Sequence, residues 1–288
     1  MLISITFNFV LINLFIFFFK RYFPNKIPQG VGSILTFTLF ILFSFNTKII
    51  DYYFILILLL GSIYFLDDLR GLSPYLRIFI QMLSGIILYI YFFGFNEIFY
   101  LFCSGLLLIF FINIFNFQDG LDLNFASIFW QAIFVIYITD INVLSNDYFT
   151  LIISFMIVFT LYNNFHKIFL GDSGVFIFVN LYFFLLFYNI EKFEILYLFP
   201  ILIPIIDFVY VLIKRLYLKE NLLKRHEHHF YQIIGNKYNK YVNLIFQNFI
   251  FIILCLTYFV FEDTNFIFLY ISILSCLIYL TSRFIFEK

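Results

Sequence analysis

The sequence is poor in charge. Charged residues make up 12% of its 288 residues, whereas soluble domains carry about 25%. The 17 Lys and Arg residues balance the 17 Asp and Glu residues, so the formal net charge is zero. A chain without excess positive charge has no long-range attraction for a polyanion, which argues against a nucleic-acid partner.

Cysteine is also scarce. Cys103, Cys255 and Cys276 each lie in an apolar run, and their spacing is not paired. Disulfide frameworks and cysteine metal centres need paired or clustered spacing. We therefore predict that these three cysteines are small packing residues.

Apolar residues dominate instead, at 64% of the chain, and the mean hydropathy is +1.02. Apolar runs of the roughly 20 residues that a helix needs to cross the hydrocarbon recur from end to end. We predict an all-α, polytopic integral membrane protein with about eleven transmembrane helices in a single domain, 1–288. The predicted spans are 2–19, 31–46, 49–66, 74–94, 97–115, 125–141, 147–164, 174–190, 194–213, 242–261 and 264–283.

The first span has no basic residue before it and no small-residue cleavage pattern, so we expect a retained helix and not a signal peptide. Basic residues are distributed unevenly between the loops. With eleven spans, 15 of the 17 Lys and Arg residues fall on one side, and Lys48 and Lys192 fall on the other. By the positive-inside rule the basic side is cytoplasmic, which places the amino terminus outside. The polar loops are then predicted to share the cytoplasmic face of the cell inner membrane.

Two adjacent carboxylates, Asp67 and Asp68, end the third span. The carboxyl end of a helix is the negative end of its dipole, so acids there need a cation or a proton nearby. If the two titrate as a pair, Arg70, Arg77 or a metal ion balances the charge. The alternative is a solvated loop start before the Ser73–Pro74 pair, which has the pattern of a helix cap followed by a first helical proline.

Asn113, Asn116 and Asp119 recur every three residues at the end of the fifth span, with Asp122 just beyond. If the helix continues, the first three share one face. Polar residues at that depth are costly and usually functional. The alternative is that Asp119 and Asp122 are turn and cap residues.

The segment 169–174, Phe-Leu-Gly-Asp-Ser-Gly, precedes the eighth span. The free N–H groups at that helix start accept a phosphate or a capping carboxylate equally well. Asp172 is therefore either the helix cap or a magnesium ligand, since Mg²⁺ is typically held by one or two carboxylates plus substrate phosphates.

Three histidines, His226, His228 and His229, lie in the long basic loop that follows the ninth span. Imidazoles beside Lys and Arg suit phosphate binding; a zinc site is a weaker alternative, and a loop lying on anionic headgroups is a third. Asp207 lies inside the ninth span. It is a functional candidate by default, or it only pairs with Lys214 or Arg215 one or two turns later.

Four motifs together resemble the polyprenyl-phosphate N-acetylhexosamine-1-phosphate transferases (glycosyltransferase family 4), which include the phospho-N-acetylmuramoyl-pentapeptide transferase of peptidoglycan synthesis. They occur in family order across nearly the whole chain. They are Leu-Asp-Asp-x-x-x-Leu-Ser-Pro-x-x-Arg-x-x-x-Gln (66–81), Asn-x-x-Asn-Phe-x-Asp-Gly-x-Asp (113–122), Phe-x-Gly-Asp-Ser-Gly (169–174) and His-x-x-His-x-Tyr-Gln (226–232).

The resemblance implies one transmembrane transferase domain with a cytoplasmic cleft for a UDP-amino sugar, such as UDP-N-acetylglucosamine, and a polyprenyl (undecaprenyl) phosphate. The lipid phosphate would attack the sugar-linked phosphorus and release UMP, at the start of cell-wall, lipopolysaccharide or other polysaccharide biosynthesis. A homodimer is compatible with the sequence.

The family's functional residues carry over to matching positions of this sequence. The resemblance implies that Asp172 holds Mg²⁺ and that Asp67 and Asp68 are the catalytic carboxylates, with Asp67 as the base or the nucleophile. Phe169 would stack on uracil. The predicted substrate-binding residues are Lys26, Arg70, Asn113, Asn116, Asp119, Asp122, Phe169, His226, His228 and His229.

The chain departs from the family pattern at two places. Its first polar loop is short, and Leu123 stands where the family has a second glycine. These departures keep open a catalytically degenerate membrane scaffold of the same family. A transporter is a further alternative, although the sequence lacks an internal repeat and matched interrupted helices at the bilayer midplane.

Overall fold

The computed structural model describes residues 1–45, 52–95, 97–139, 147–188, 195–221, 227–261 and 267–287. These residues form α-helices joined by short loops, and no strand occurs among them. The predicted all-α class is confirmed. The helices are α1 Leu2–Tyr22, α2 Gly32–Phe45, α3 Tyr52–Arg70, α4 Pro74–Phe93, α5 Ile98–Gln118, α6 Asn124–Thr139, α7 Asp147–Asn164, α8 Gly171–Tyr188, α9 Phe199–Tyr217, α10 Phe230–Lys237, α11 Lys240–Phe261 and α12 Ile267–Glu287.

Each predicted span overlaps one of these helices, and a 3₁₀ turn, Ile195–Leu198, leads into α9. The short helix α10 was not predicted, because it lies in the polar loop and has no apolar run. Among the described residues, seven helices are long and apolar enough to cross a membrane, and three shorter apolar helices accompany them. The protein is therefore a multi-pass membrane protein, while the count of eleven crossings and the outward amino terminus remain predictions.

The helix surfaces agree with lipid as the surrounding solvent. On α1, Leu14, Phe17 and Phe18 are 48%, 63% and 52% exposed. A water-soluble protein rarely leaves such large apolar side chains exposed in a contiguous patch. In a bilayer the same side chains meet acyl chains at no cost.

The chain divides into two compact units. The first contains Met1–Asp119 and Asn142–Lys192, and so α1 to α5, α7 and α8; the second contains Gly120–Ile141 and Phe193–Lys288, with the remaining helices. The prediction of one transferase domain, 1–288, stays a prediction.

Helix α8 is the centre of the first unit. It packs against α2, α3, α4 and α5, and its residues from Ser173 to Asn180 are all buried. The Tyr64 ring of α3 stacks on Phe176 of α8 with 4.7 Å between centroids. At the start of α2, Gly32 lies against Gly174 so closely that a side chain at either position would overlap its neighbours. The amino end of α8 is therefore held firmly against the ends of α2 and α3.

In the second unit, α6 and α11 are joined by polar side chains inside an apolar setting. The Asn124 Oδ1 accepts hydrogen bonds from Asn243 Nδ2 at 2.8 Å and from Gln247 Nε2 at 2.7 Å. One turn further, Asn248 donates to Ser127 Oγ at 3.0 Å. Amide side chains satisfy one another in this way where water is excluded.

Candidate active site

Four carboxylates converge at one end of the first unit. Asp67 and Asp68 lie in the last turn of α3, Asp119 directly follows α5, and Asp172 lies in the first turn of α8. Asp68 and Asp119 accept hydrogen bonds from the start of α8, and Asp67 and Asp172 both contact Arg77 of α4. The sequence-based expectation that these acids meet is confirmed for this unit.

Asp67 is buried and ion-paired. Its Oδ1 accepts hydrogen bonds from the Leu72 N–H at 2.6 Å and from Arg77 Nη2 at 2.7 Å. Arg77 lies in the first turns of α4, whose predicted cap is confirmed because Ser73 Oγ accepts from the Leu76 N–H. The other oxygen, Asp67 Oδ2, is buried and accepts no hydrogen bond. An unpaired buried carboxylate oxygen is costly, so this atom is a candidate for contact with a cation or a substrate proton.

Asp172 shares the same guanidinium. Arg77 Nη1 lies 3.4 Å from Asp172 Oδ2. The Asp172 carboxylate also interacts with the Asn116 amide and with Asp67. Asp67 and Asp172, from two different helices, therefore share one guanidinium, whereas the adjacent Asp68 contacts the start of α8. Of the predicted balancing groups, Arg77 contacts the pair.

Asp68 turns away from Asp67 and caps α8. Its Oδ1 accepts from the Asp172 N–H at 2.7 Å, and its Oδ2 accepts from the Ser173 N–H at 3.1 Å and from Ser173 Oγ at 2.7 Å. The negative side chain therefore lies at the positive end of the α8 dipole. Two sequence alternatives are corrected: Asp172 is not the cap of α8, and the first N–H groups of that helix are already occupied, so they are not open to phosphate.

We expect that Asp68→Ala destabilises the protein by about 1–2 kcal/mol, because α8 loses its capping carboxylate. In a chain of this size that corresponds to a fall of several degrees in the midpoint of thermal unfolding. Ser173→Ala is the graded control, since it removes one of the three bonds to Asp68. Equal midpoints for Asp68→Ala and the wild type in detergent would contradict the capping role.

Asp119 holds the loop before α8. Its Oδ2 accepts a hydrogen bond from the Gly171 N–H at 2.9 Å. Burial raises the pKa of Asp119 to about 7, against the lowering effect of the bonds from Gly171 and Leu170 N–H groups. The nearby carboxylates of Asp68 and Asp172 raise it further. Near neutral pH this carboxyl group therefore responds to any charge that enters the cluster.

Asn113 and Asn116 lie on the same face of α5 but have different partners. Asn113 Nδ2 donates to Gln81 Oε1 at 3.1 Å and to the Ile109 carbonyl at 2.7 Å, which ties α5 to α4. Asn116 instead interacts with Asp172. Of the two asparagines, Asn116 is the one that the structure places beside the carboxylates.

Phe169 and Lys26 lie on the loops that flank the cluster. The Phe169 N–H donates to the Pro28 carbonyl at 2.9 Å, and its half-buried ring meets the His166 ring edge-on at 5.3 Å. Lys26 is exposed, with its Nζ 5.5 Å from the centre of the Phe23 ring. Arg70 is exposed in the last turn of α3. Their predicted roles in substrate binding stay predictions.

The other predicted binding residues belong to the second unit. Asp122 is buried, and its Oδ2 lies 3.3 Å from Lys240 Nζ. His228 is half-exposed, with its Nε2 3.6 Å from Glu220 Oε2. His229 is buried and caps α10. His226 lies outside the described residues.

Asp207 has partners that the sequence did not suggest. Its carboxylate contacts Arg283 at 3.1 Å and His229 at 2.8 Å. Arg215, the predicted partner, pairs with Glu220 at 3.0 Å instead. The expected pair between Asp207 and Arg215 is therefore wrong, because Arg283, from a distant part of the sequence, pairs with the Asp207 carboxylate instead.

The roles of Ser173, Tyr279 and Arg283 in these networks were not predicted from the sequence. A signal for the last two was available, because Tyr279 and Arg283 are one turn apart and therefore share a face of α12. Arg283 was instead counted among the loop residues that set orientation. For Ser173 the Asp-Ser pair at a helix start was the signal.

The chemistry of the cluster in the first unit suits a divalent cation. Two of the four carboxylates, Asp67 and Asp172, contact the Arg77 guanidinium, and the buried Asp67 Oδ2 accepts no hydrogen bond. No group of three or more acidic, histidine or cysteine side chains in the described part of the chain is arranged to hold a metal alone. Mg²⁺ needs only one or two protein carboxylates, because it keeps waters and binds substrate phosphates.

Residues 50–188 match the family model of glycosyl transferase family 4. The matched range contains the carboxylate cluster, with Asp67, Asp68, Asp119 and Asp172, and it ends before the histidine motif. No curated protein matches the chain. The predicted family is confirmed over residues 50–188, and the match supports a membrane sugar-phosphate transferase.

Proposed function

Because residues 50–188 match glycosyl transferase family 4, we propose that this protein transfers an N-acetylhexosamine-type sugar 1-phosphate from a UDP-sugar to a membrane polyprenyl phosphate. An oxygen of the lipid phosphate attacks the sugar-linked phosphorus, the bond from that phosphorus to the UMP oxygen breaks, and UMP leaves. The product is a polyprenyl-diphosphoryl sugar. The observation that carries the proposal is the Asp67–Arg77–Asp172 constellation inside the matched range.

Asp172 would hold Mg²⁺, the proposed cofactor. When bound, the ion would neutralise the phosphate oxygens of the donor as charge shifts onto the leaving UMP. Asp67 and Asp172 carry two negative charges beside the single positive charge of Arg77, and such an ion would offset the excess. Asn116 fixes the Asp172 side chain from α5.

The residues around that pair have separate tasks in the proposal. Arg77 fixes the orientation of the Asp67 carboxylate through its 2.7 Å bond to Oδ1. This leaves Asp67 Oδ2 as the atom that takes a proton from the lipid phosphate. Asp68 and Asp119 hold the start of α8 in place through its N–H groups, and so position Asp172. Asp68 is thus a positioning residue in this reading and not a second catalytic carboxylate.

The remaining predicted residues serve the donor in the proposal. Phe169 would stack on uracil, and Asn116 would line the nucleotide side. Basic and imidazole side chains would neutralise the diphosphate. The reaction would take place at the cytoplasmic face of the cell inner membrane, where UDP-sugars are available. The further residues with proposed donor-binding roles are Lys26, Arg70, Asn113, Asp119, Asp122, His226 and His228.

The test is a donor panel. Membranes that contain the full chain are incubated with Mg²⁺, undecaprenyl phosphate and several UDP-amino sugars, and released UMP is measured. We expect UMP from at least one donor, dependent on both Mg²⁺ and the lipid phosphate. A folded protein that releases no UMP with any donor would overturn the proposal. UMP release that does not require the lipid would point to a hydrolase.

A further inference from the structure

A buried carboxylate in the second unit makes four hydrogen bonds with two other segments of the chain, 229–230 and α12. Asp207 Oδ1 accepts from Tyr279 Oη at 2.7 Å, from the Phe230 N–H at 2.9 Å and from Arg283 Nη1 at 3.1 Å. Asp207 Oδ2 lies 2.8 Å from His229 Nδ1. Asp207, His229 and Arg283 are each no more than 3% exposed. A charge buried this deeply persists only where partners of this kind surround it.

Arg283 extends the network to the backbone of the histidine motif. Its Nη2 donates to the His228 carbonyl at 2.7 Å, and its guanidinium lies over the Tyr210 ring at 4.2 Å. Together with the bond from Phe230 N–H to Asp207, the backbone is held on both sides of His229. Helices α9 and α12 therefore fix the segment 228–230.

The two histidines, His228 and His229, differ in their partners and in their exposure. The Asp207 carboxylate is paired with Arg283 and so acts as an acceptor, which requires the proton of His229 to be on Nδ1. The His229 ring is 2% exposed and is directed into the network, whereas the His228 side chain is 45% exposed. Of these two, His228 is the one whose ring reaches the surface.

We infer that Asp207, Tyr279 and Arg283 are positioning residues that clamp the segment 228–230, and that His229 is part of this clamp. Of His228 and His229, His228 is then the one that meets the substrate. The inference rests on the proposed function, because it assigns roles within the histidine motif. It divides residues that the sequence grouped together as substrate ligands. It also gives the buried Asp207 a role, which is to hold the backbone of the segment 228–230.

A double-mutant cycle tests the clamp. UMP release per folded protein is measured for Asp207→Asn, His228→Gln and the double variant, each as the full chain in membranes. If Asp207 acts by placing His228, the double variant loses no more than about twofold beyond the worse single variant. Each single variant is expected to lose about 10–100-fold, as when a supporting hydrogen bond behind a functional group is removed. Gln131→Leu is the matched control, since Gln131 is a buried polar residue of the same unit with its own partners, Ser127 and Asn248.

The cycle separates positioning from general stability. A residue that only stabilises the fold changes the amount of folded protein but not the UMP release per folded protein; we expect this of Gln131→Leu. A loss for Asp207→Asn that is absent per folded protein, or that multiplies with the loss for His228→Gln, would overturn the inference. Wild-type protein that releases no UMP would instead count against the proposed function, so the two failures are distinguishable.

His229→Asn is the second test, because the asparagine amide can replace the Nδ1–H donor toward Asp207 and has no counterpart to Nε2. We expect this variant to keep activity within about fivefold of the wild type, far above His228→Gln. Rates as low as those of His228→Gln, from protein that is folded, would show that His229 itself contacts the substrate.

Discussion

Asp172→Asn is expected to lower UMP release by about a thousandfold while the yield of folded protein stays at the wild-type level. The substitution keeps the size of the side chain but removes the charge that faces the proposed Mg²⁺ site. A bound metal ion contributes several kcal/mol to the stabilisation of transferring phosphate, and about 1.4 kcal/mol corresponds to a tenfold change in rate. The rate is measured with the best donor of the panel.

The thermal stability of Asp172→Asn gives a second test of this prediction. Asp172 lies beside Asp67 and shares Arg77 with it. Like charges at this distance repel, so removing one of them relieves the repulsion. Without Mg²⁺, Asp172→Asn is therefore expected to unfold at the same temperature as the wild type or higher. Loss of activity without loss of stability is the behaviour of a functional site.

Glu97→Gln is the matched control for the charge change. Glu97 is an exposed carboxylate at the other end of α5, and its side chain makes no cap hydrogen bond. We expect its activity to equal that of the wild type. Activity of Asp172→Asn within threefold of Glu97→Gln would remove Asp172 from the reaction.

The helices could be predicted because each membrane-spanning helix appears in the sequence as an apolar run. A helix in lipid satisfies its backbone internally, so the length and polarity of each apolar run reveal both ends. The spans 74–94 and 147–164 agree with α4 Pro74–Phe93 and α7 Asp147–Asn164 to within one residue. The convergence of Asp67, Asp119 and Asp172 followed from loop parity, since alternate helix ends lie on the same side.

The pairing of individual carboxylates was not predictable from spacing. Adjacent helical residues point about 100° apart, so Asp67 faces Arg77 of α4 and Asp68 faces the start of α8. Which helix packs on which face is a tertiary property that no local pattern encodes. The same reason applies to Asp207, whose partner Arg283 is 76 positions away in the sequence.

Gly32→Ala is expected to destabilise the protein by about 3 kcal/mol or more, which is the upper part of the range for inserting atoms into a packed core. A β-carbon at Gly32 would overlap the backbone of Gly174 in α8, and backbone cannot move aside as a flexible side chain can. The two helices would have to separate, which strains the hydrogen bond from the Gly32 N–H to the Leu170 carbonyl at 3.0 Å. The midpoint of thermal unfolding should fall by about 10 °C.

Gly71→Ala separates this clash from the general cost of replacing a glycine. Gly71 has φ +75° but open space around its α-carbon, so an alanine there costs only backbone strain, about 1 kcal/mol. Similar midpoints for the two variants would contradict the close α2–α8 contact. Because α8 carries Asp172 and receives the cap from Asp68, the folded fraction of Gly32→Ala should also lose activity. Gly71→Ala should keep it, since Gly71 touches neither α8 nor its cap.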